Sequence, residues 1–174
     1  GGIKEKLEPT IFANDVVFNQ IDKLYKKILN CLGQNARISL VELSRKINST
    51  VDVVRGRMKK MEEKGIIMQY RIAVDYSKLG YEKFKAFVYF QNLSEQDEKK
   101  LYEYVKQHPN IIYLIRQISA WDIELEIMVK NYEEFTKIMN NLRLEFSDSL
   151  RNYESCLMRE DIWFFKDNDV FKEI

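Results

Sequence analysis

Four cations, Arg55, Arg57, Lys59 and Lys60, crowd one short stretch of the chain, and their types and spacing set the first chemical expectation. Val54, Met58 and Met61 recur at i, i+4 and i+7, which in a helix gathers them on one apolar stripe. Asp52, Val53, Arg55, Gly56 and Lys59 then point away from that stripe, with Arg57 and Lys60 on its flanks. A guanidinium is a planar fork that matches O6 and N7 of guanine, so Arg55 is expected to read a base edge in double-stranded DNA. Arg57, Lys59 and Lys60 are expected to hold phosphates, and Arg37 and Ser39, at the start of the preceding helix, to do likewise. Thr50 is expected as the N-cap of the cationic helix, with Asp52 favourably placed in its first turn. The competing expectation is a solvated basic face, with i, i+4 pairs such as Lys59–Glu63 that never meet DNA. Gly56 lowers helix propensity by ~1 kcal/mol relative to Ala and removes one contact.

Other chemistry is sparse. His108 is the only histidine and stands before Pro109, where an imidazole is expected to cap a helix end; it has no nucleophile beside it in the sequence. Cys31 and Cys156 are far apart with no CxxC, so with one histidine they cannot complete a four-ligand zinc site and are expected to be reduced, buried thiols. No enzyme, metal or cofactor is expected.

Charge supports the reading of the cationic helix. The chain carries 28 Lys and Arg against 27 Asp and Glu, but residues 22–75 hold twelve basic and six acidic residues, while residues 76–174 are net acidic. A short basic module joined to an acidic one is the pattern of a protein that offers only one part to a polyanion. With 174 residues, 45% hydrophobic and only 6 Gly and 2 Pro, the chain is expected to form one or two packed domains. No apolar run nears the ~18 residues of a membrane span, and the expected location is the cytoplasm. The chain opens on Gly1-Gly2 rather than Met, as expected either of a piece of a longer protein or of two glycines left as a scar of an added segment.

The elements that must position these residues follow from periodicity. Ile21, Leu24, Tyr25, Ile28, Leu29 and Leu32 make an amphipathic helix that Gly33 is expected to end. Ser39 and Glu42 match a capping box at the head of a short helix with Leu40, Leu43 and Ile47 inward. Asn48–Val51 breaks into the cationic helix, which Gly65 closes; three short helices with tight turns describe a helix-turn-helix. Residues 66–74 suit a wing or connecting strand, and 75–82 a hinge. Beyond it, Phe84, Ala86, Val88 and Phe90 alternate as a strand, Ser94–Asp97 opens a helix, and strands are expected over 111–118, 123–129 and about 152–165. Ser119-Ala120-Trp121-Asp122 must turn the chain between two of them, and Asn131 opens a helix carrying Phe135, Ile138, Met139, Leu142 and Phe146. The order β-α-β-β-α-β is a split βαβ of ferredoxin-like type. The expected fold is therefore α+β: a winged helix-turn-helix over 21–74, the hinge, a βαββαβ domain over 83–166 and a tail over 167–174. Residues 1–20 read as an extension, or as the tail of a preceding domain.

At this point the sequence resembles the Lrp/AsnC (leucine-responsive, feast/famine) family of prokaryotic transcription regulators. The residues that carry the likeness are Ile21-Asp22, Ile28-Leu29, Asn35-Ala-Arg-Ile-Ser39, the run Val54-Arg55-Gly-Arg57-Met58-Lys59-Lys60-Met61-Glu62-Glu63-Lys64-Gly65-Ile66-Ile67, Leu79-Gly80, and Trp121-Asp122 in the β2–β3 turn. The resemblance implies an N-terminal half that binds DNA and a C-terminal half, the RAM domain, that forms homo-oligomers and often takes an amino-acid effector. It implies further that Ser119, Ala120, Trp121 and Asp122 line that effector site. Relatives usually carry Gly where this chain has Ser119, whose Cβ narrows the approach. They often carry a basic residue in place of Gly56. The competing expectation for these four residues is a packed turn inside an oligomer, with Trp121 as a core or interface aromatic. For the whole chain it is a small-molecule-sensing or assembly module with little DNA-binding activity.

Overall fold

The computed structural model describes residues 9–12, 16–160 and 162, which form two compact units, one ending at Ala73 and the other running Val74–Ile162. The expected tail 167–174 lies outside the described residues.

The first unit holds α1 (Lys23–Gln34), α2 (Leu40–Lys46) and α3 (Val51–Glu63) around Ile28, Leu43, Ile47, Val54 and Met61. Each helix starts on a side-chain cap: Asp22 accepts from the N–H groups of Leu24 and Tyr25, Ser39 from Glu42 and Thr50 from Val53. Only half of the Ser39–Glu42 capping box is seen, because the Glu42 carboxylate lies 3.5 Å from Lys46. Gly33 does not end α1, which runs one residue further, to Gln34. The α2–α3 turn passes through Asn48 at φ 55°, a left-handed conformation that Asn tolerates better than most residues. Gly65, at φ 66°, turns the chain after α3 so that the N–H groups of Ile66 and Ile67 both reach the Met61 carbonyl.

The strand expected over 66–74 is absent: no helix or strand is formed between α3 and a 3-10 turn at Tyr76–Leu79. A ladder needs a second strand, and among the described residues of this unit there is none. Side chains hold the segment instead, with Thr10 Oγ1 donating to Gln69 and the Tyr70 hydroxyl to Glu62. Burial and the Glu62 carboxylate push the Tyr70 phenol up to about 12.

The second unit is β1 (Glu82–Phe90), α4 (Glu95–Gln107), β2 (Ile111–Arg116), β3 (Ile123–Val129), α5 (Tyr132–Glu145) and β4 (Leu150–Met158). Its antiparallel sheet has the order β2-β3-β1-β4. Phe84, Ala86 and Val88 of β1 and alternate residues of β3 share one core with Leu101 of α4 and Phe135, Ile138, Met139 and Leu142 of α5. Phe84 and Phe135 stack there with ring centres 4.4 Å apart. The last strand starts earlier than the expected 152 and ends at Met158, where it faces Lys83, because its ladder is set by β1; positions 161 and 163–165 of the expected span lie outside the described residues. Cys31 is half-buried, but Cys156 is exposed on β4 opposite Lys85, contrary to the expectation of a buried thiol. His108 does close α4, yet its Nδ1 accepts from the Asn110 N–H rather than capping a carbonyl, and burial lowers its pKa.

Candidate nucleic-acid interface

The burial of Val54 and Met61 fixes which way α3 faces. Asp52, Val53, Arg55, Gly56, Lys59 and Lys60 are exposed along one side, so the structure brings together most of the residues expected to meet DNA. Arg37 is exposed at the entry to α2. Ser39 and Thr50 spend their hydroxyl oxygens on helix caps, which places them as elements that orient α2 and α3. A Cβ added at Gly56 would meet nothing within 4 Å, so the helix surface beside Arg55 is bare.

The cations of α3 differ in their partners. Arg55 Nη1 lies 2.8 Å from the Asp52 carboxylate, and Lys59 lies 3.7 Å from Glu63, the i, i+4 pair anticipated from the sequence. All four of these side chains are more than half exposed, so water screens both pairs and each adds little to stability. Arg57, expected to hold a phosphate, has partners on α1. Its side chain is two-thirds covered, with the guanidinium 2.7 Å from the Asp22 carboxylate and 4.5 Å from the centre of the Tyr25 ring. Tyr25 and then Asp22 hold the Arg57 proton more firmly than usual, and the Tyr25 N–H, the Leu24 N–H and Arg57 together lower the Asp22 pKa. Sequence reasoning missed Asp22 and Tyr25 as partners of α3; the available signal was an acid at the N-cap of α1, one turn before an aromatic at the edge of its apolar stripe.

In the second unit, the turn at 119–122 is built from its own side chains. The Ser119 hydroxyl donates to the Trp121 carbonyl and accepts from the Trp121 N–H. Asp122 staples the turn to β1, its carboxylate accepting from the Phe90 N–H at 2.6 Å and its N–H donating to the Val88 carbonyl. Trp121 packs on Phe87 at 4.5 Å, and its indole N–H is buried with no acceptor. Ser119, Trp121 and Asp122 line a cavity of about 370 Å³ whose other walls include Glu98, Leu101 and Tyr102 of α4 and Leu114 and Arg116 of β2. Ala120 is not part of the lining. The α4 residues escaped sequence reasoning, although their i, i+3, i+4 spacing puts them on one helix face. Arg116 is bound to Glu98 at 2.6 Å. No group of three or more metal-ligating side chains occurs among the described residues, and no helix there is long and apolar enough to cross a membrane.

A basic, exposed third helix seated on a three-helix core, followed by an antiparallel βαββαβ sheet, defines a helix-turn-helix regulator rather than an enzyme. A family described as winged helix-turn-helix DNA-binding matches residues 21–68. The HTH-type transcriptional regulator LrpB of Bacillus subtilis is 32% identical over 82% of this chain and 99% of its own length. LrpC of the same organism is 28% identical over 70% of this chain and 83% of its own; its solved structure superposes with a TM-score of 0.70 over 83% of this chain and 98% of that one. A transcriptional regulator of Neisseria meningitidis, solved as its L-Met complex, has the same fold, with a TM-score of 0.77 at 18% identity over 89% of this chain and all of its own. The chain belongs to the Lrp/AsnC family of HTH-type transcriptional regulators.

Proposed function

We propose that the chain is a sequence-specific DNA-binding regulator whose third helix enters the major groove. Arg55 reads a guanine edge, Lys59, Lys60 and Arg37 hold phosphates, and Thr50 and Ser39 set the helix starts that aim them. The observation that carries this reading is the exposed row Asp52–Val53–Arg55–Gly56–Lys59–Lys60 opposite the buried Val54 and Met61. Residues 21–74 form the DNA-binding module and 83–166 the module for assembly and effector binding, with 75–82 as the hinge. Two-fold pairing of copies would set two recognition helices on half-sites in successive grooves. Support for a homo-oligomer comes from the sheet face turned away from the helices, which carries the Phe87–Trp121 pair and partly covered neighbours rather than a fully polar surface. The effector is an amino acid held at the cavity beside Ser119, Trp121 and Asp122; the L-Met complex of the Neisseria regulator and the unanswered indole N–H of Trp121 support this assignment.

Fluorescence anisotropy against a pool of genomic fragments at several salt concentrations tests the reading. Sub-micromolar binding to a few fragments, weakening steeply with salt as counterions are released, is the expected result. The pairing of Arg55 with Asp52 and of Lys59 with Glu63 favours one second reading, a sensing or assembly module with little affinity for DNA. Negligible binding at ~0.15 M salt would establish it in place of the first.

A further inference from the structure

We infer that Asp52 decides which base pairs the recognition helix accepts, by aiming Arg55 and by presenting its own carboxylate to a base amino group. This rests on the DNA-binding reading above. Asp52 is the second residue of α3, at the end of a recognition helix that approaches base edges most closely. Its carboxylate is 90% exposed, yet it is 2.8 Å from Arg55 Nη1, which leaves the Nε and Nη2 edge of that guanidinium for O6 and N7 of guanine. The bare surface at Gly56 lets the helix come close on that side.

A carboxylate on this surface is a liability unless it finds donors, because phosphates repel it and most base edges offer acceptors. In the major groove only cytosine N4 and adenine N6 present amino groups. Beside the guanine taken by Arg55, Asp52 therefore favours a base pair that turns an amino group toward it and rejects one that turns O4 of thymine or O6 and N7 of guanine toward it. The bland role, an acid in the first turn that steadies the helix, predicts a change in melting temperature and none in base preference.

The test uses the full chain as wild type, Asp52→Ala, Asp52→Asn and Arg55→Ala. Anisotropy is measured against the best natural fragment, each single base-pair change within its half-site, and scrambled DNA, with thermal melts as the folding control. Asp52→Ala is expected to bind scrambled DNA at least about threefold more tightly, having lost an anion near the phosphates. It is also expected to lose at least about fivefold discrimination at the pair next to the guanine. Asp52→Asn, which keeps the size and reach of the side chain but removes its charge, is expected to move that preference toward adenine, whose N6 and N7 suit an amide. Unchanged base profiles in both Asp52 variants, with wild type still selective, would overturn the inference alone; a wild type that binds target and scrambled DNA equally would overturn it together with the DNA-reading assignment.

Discussion

The guanidinium of Arg57 lies 2.7 Å from the Asp22 carboxylate and 4.5 Å above the Tyr25 ring, so the recognition helix is fastened at its middle to the first turn of α1. We propose that an arginine held there sets the angle at which Arg55 and Lys59 are presented and makes no phosphate contact. Arg57→Ala is expected to lower the stability of the helix-turn-helix unit by about 1 kcal/mol, the scale of a partly exposed ion pair with a cation–π contact. DNA affinity should fall while the slope of log affinity against log salt stays at the wild-type value, because no phosphate contact is lost. Lys59→Ala should do the reverse, keeping stability and reducing the slope by about one.

The same contact makes the first unit sensitive to acid. Asp22 is held below the ordinary carboxylate value by the Tyr25 and Leu24 N–H groups and by Arg57. A group whose folded pKa is depressed contributes stability above its unfolded value of about 3.9 and loses it as pH falls through the folded value. Asp22→Asn keeps a competent N-cap, so melting profiles between pH 2 and 6 should show a shallower acid limb with little change in fold at neutral pH.

At the other end of the scale, Tyr70 should ionise late. The unfolded chain releases a phenol proton at about 10, whereas the folded chain holds that of Tyr70 to about 12, so this residue contributes stability below pH 10 that disappears as pH rises toward 12. Absorbance titration near 295 nm of wild type against Tyr70→Phe should show one phenol fewer, missing from the late end of the curve.

In the second unit, Lys85 is shared between Glu124 at 2.5 Å and Glu126 at 3.3 Å, on the sheet face away from the helices. The Glu124 side chain is only 8% exposed, and Lys85→Met would leave it buried without its cation. Removing one partner of such a cluster is expected to cost about 3 kcal/mol in urea unfolding, and Lys85→Met with Glu124→Gln should recover part of it. Phe135→Ala, which empties the stack on Phe84, is expected to cost about 3–5 kcal/mol.

An effector at the β2–β3 turn should be visible through Trp121. Titration with a panel of amino acids, L-Met first, is expected to change indole emission and oligomer size together. Trp121→Phe should weaken the response, since it removes the buried N–H that lacks an acceptor. A full set of amino acids with no effect on emission, size or melting temperature would assign Trp121 to packing against Phe87.

Most of the architecture could be read from local pattern because each piece answers to short-range physics. The 3.6-residue stripe of Val54, Met58 and Met61, the caps at Ser39 and Thr50, and the alternation of Phe84, Ala86 and Val88 all act within a few residues. The exposed face of α3 followed directly, since burying one stripe exposes the opposite one. Tertiary structure decided what depends on partners distant in sequence. Arg57 meets Asp22 and Tyr25 because a folded α1 brings an anion and a ring to it across more than thirty positions of chain. The strand expected over 66–74 did not form because β-branched composition cannot supply a neighbour to pair with. The last strand ended at Met158 because its partner β1 begins there, and Glu98 joined Trp121 at one cavity because α4 lies over the end of β2. Periodicity reports the environment of a residue's own face; which distant side chain completes that environment is fixed only when the chain closes on itself.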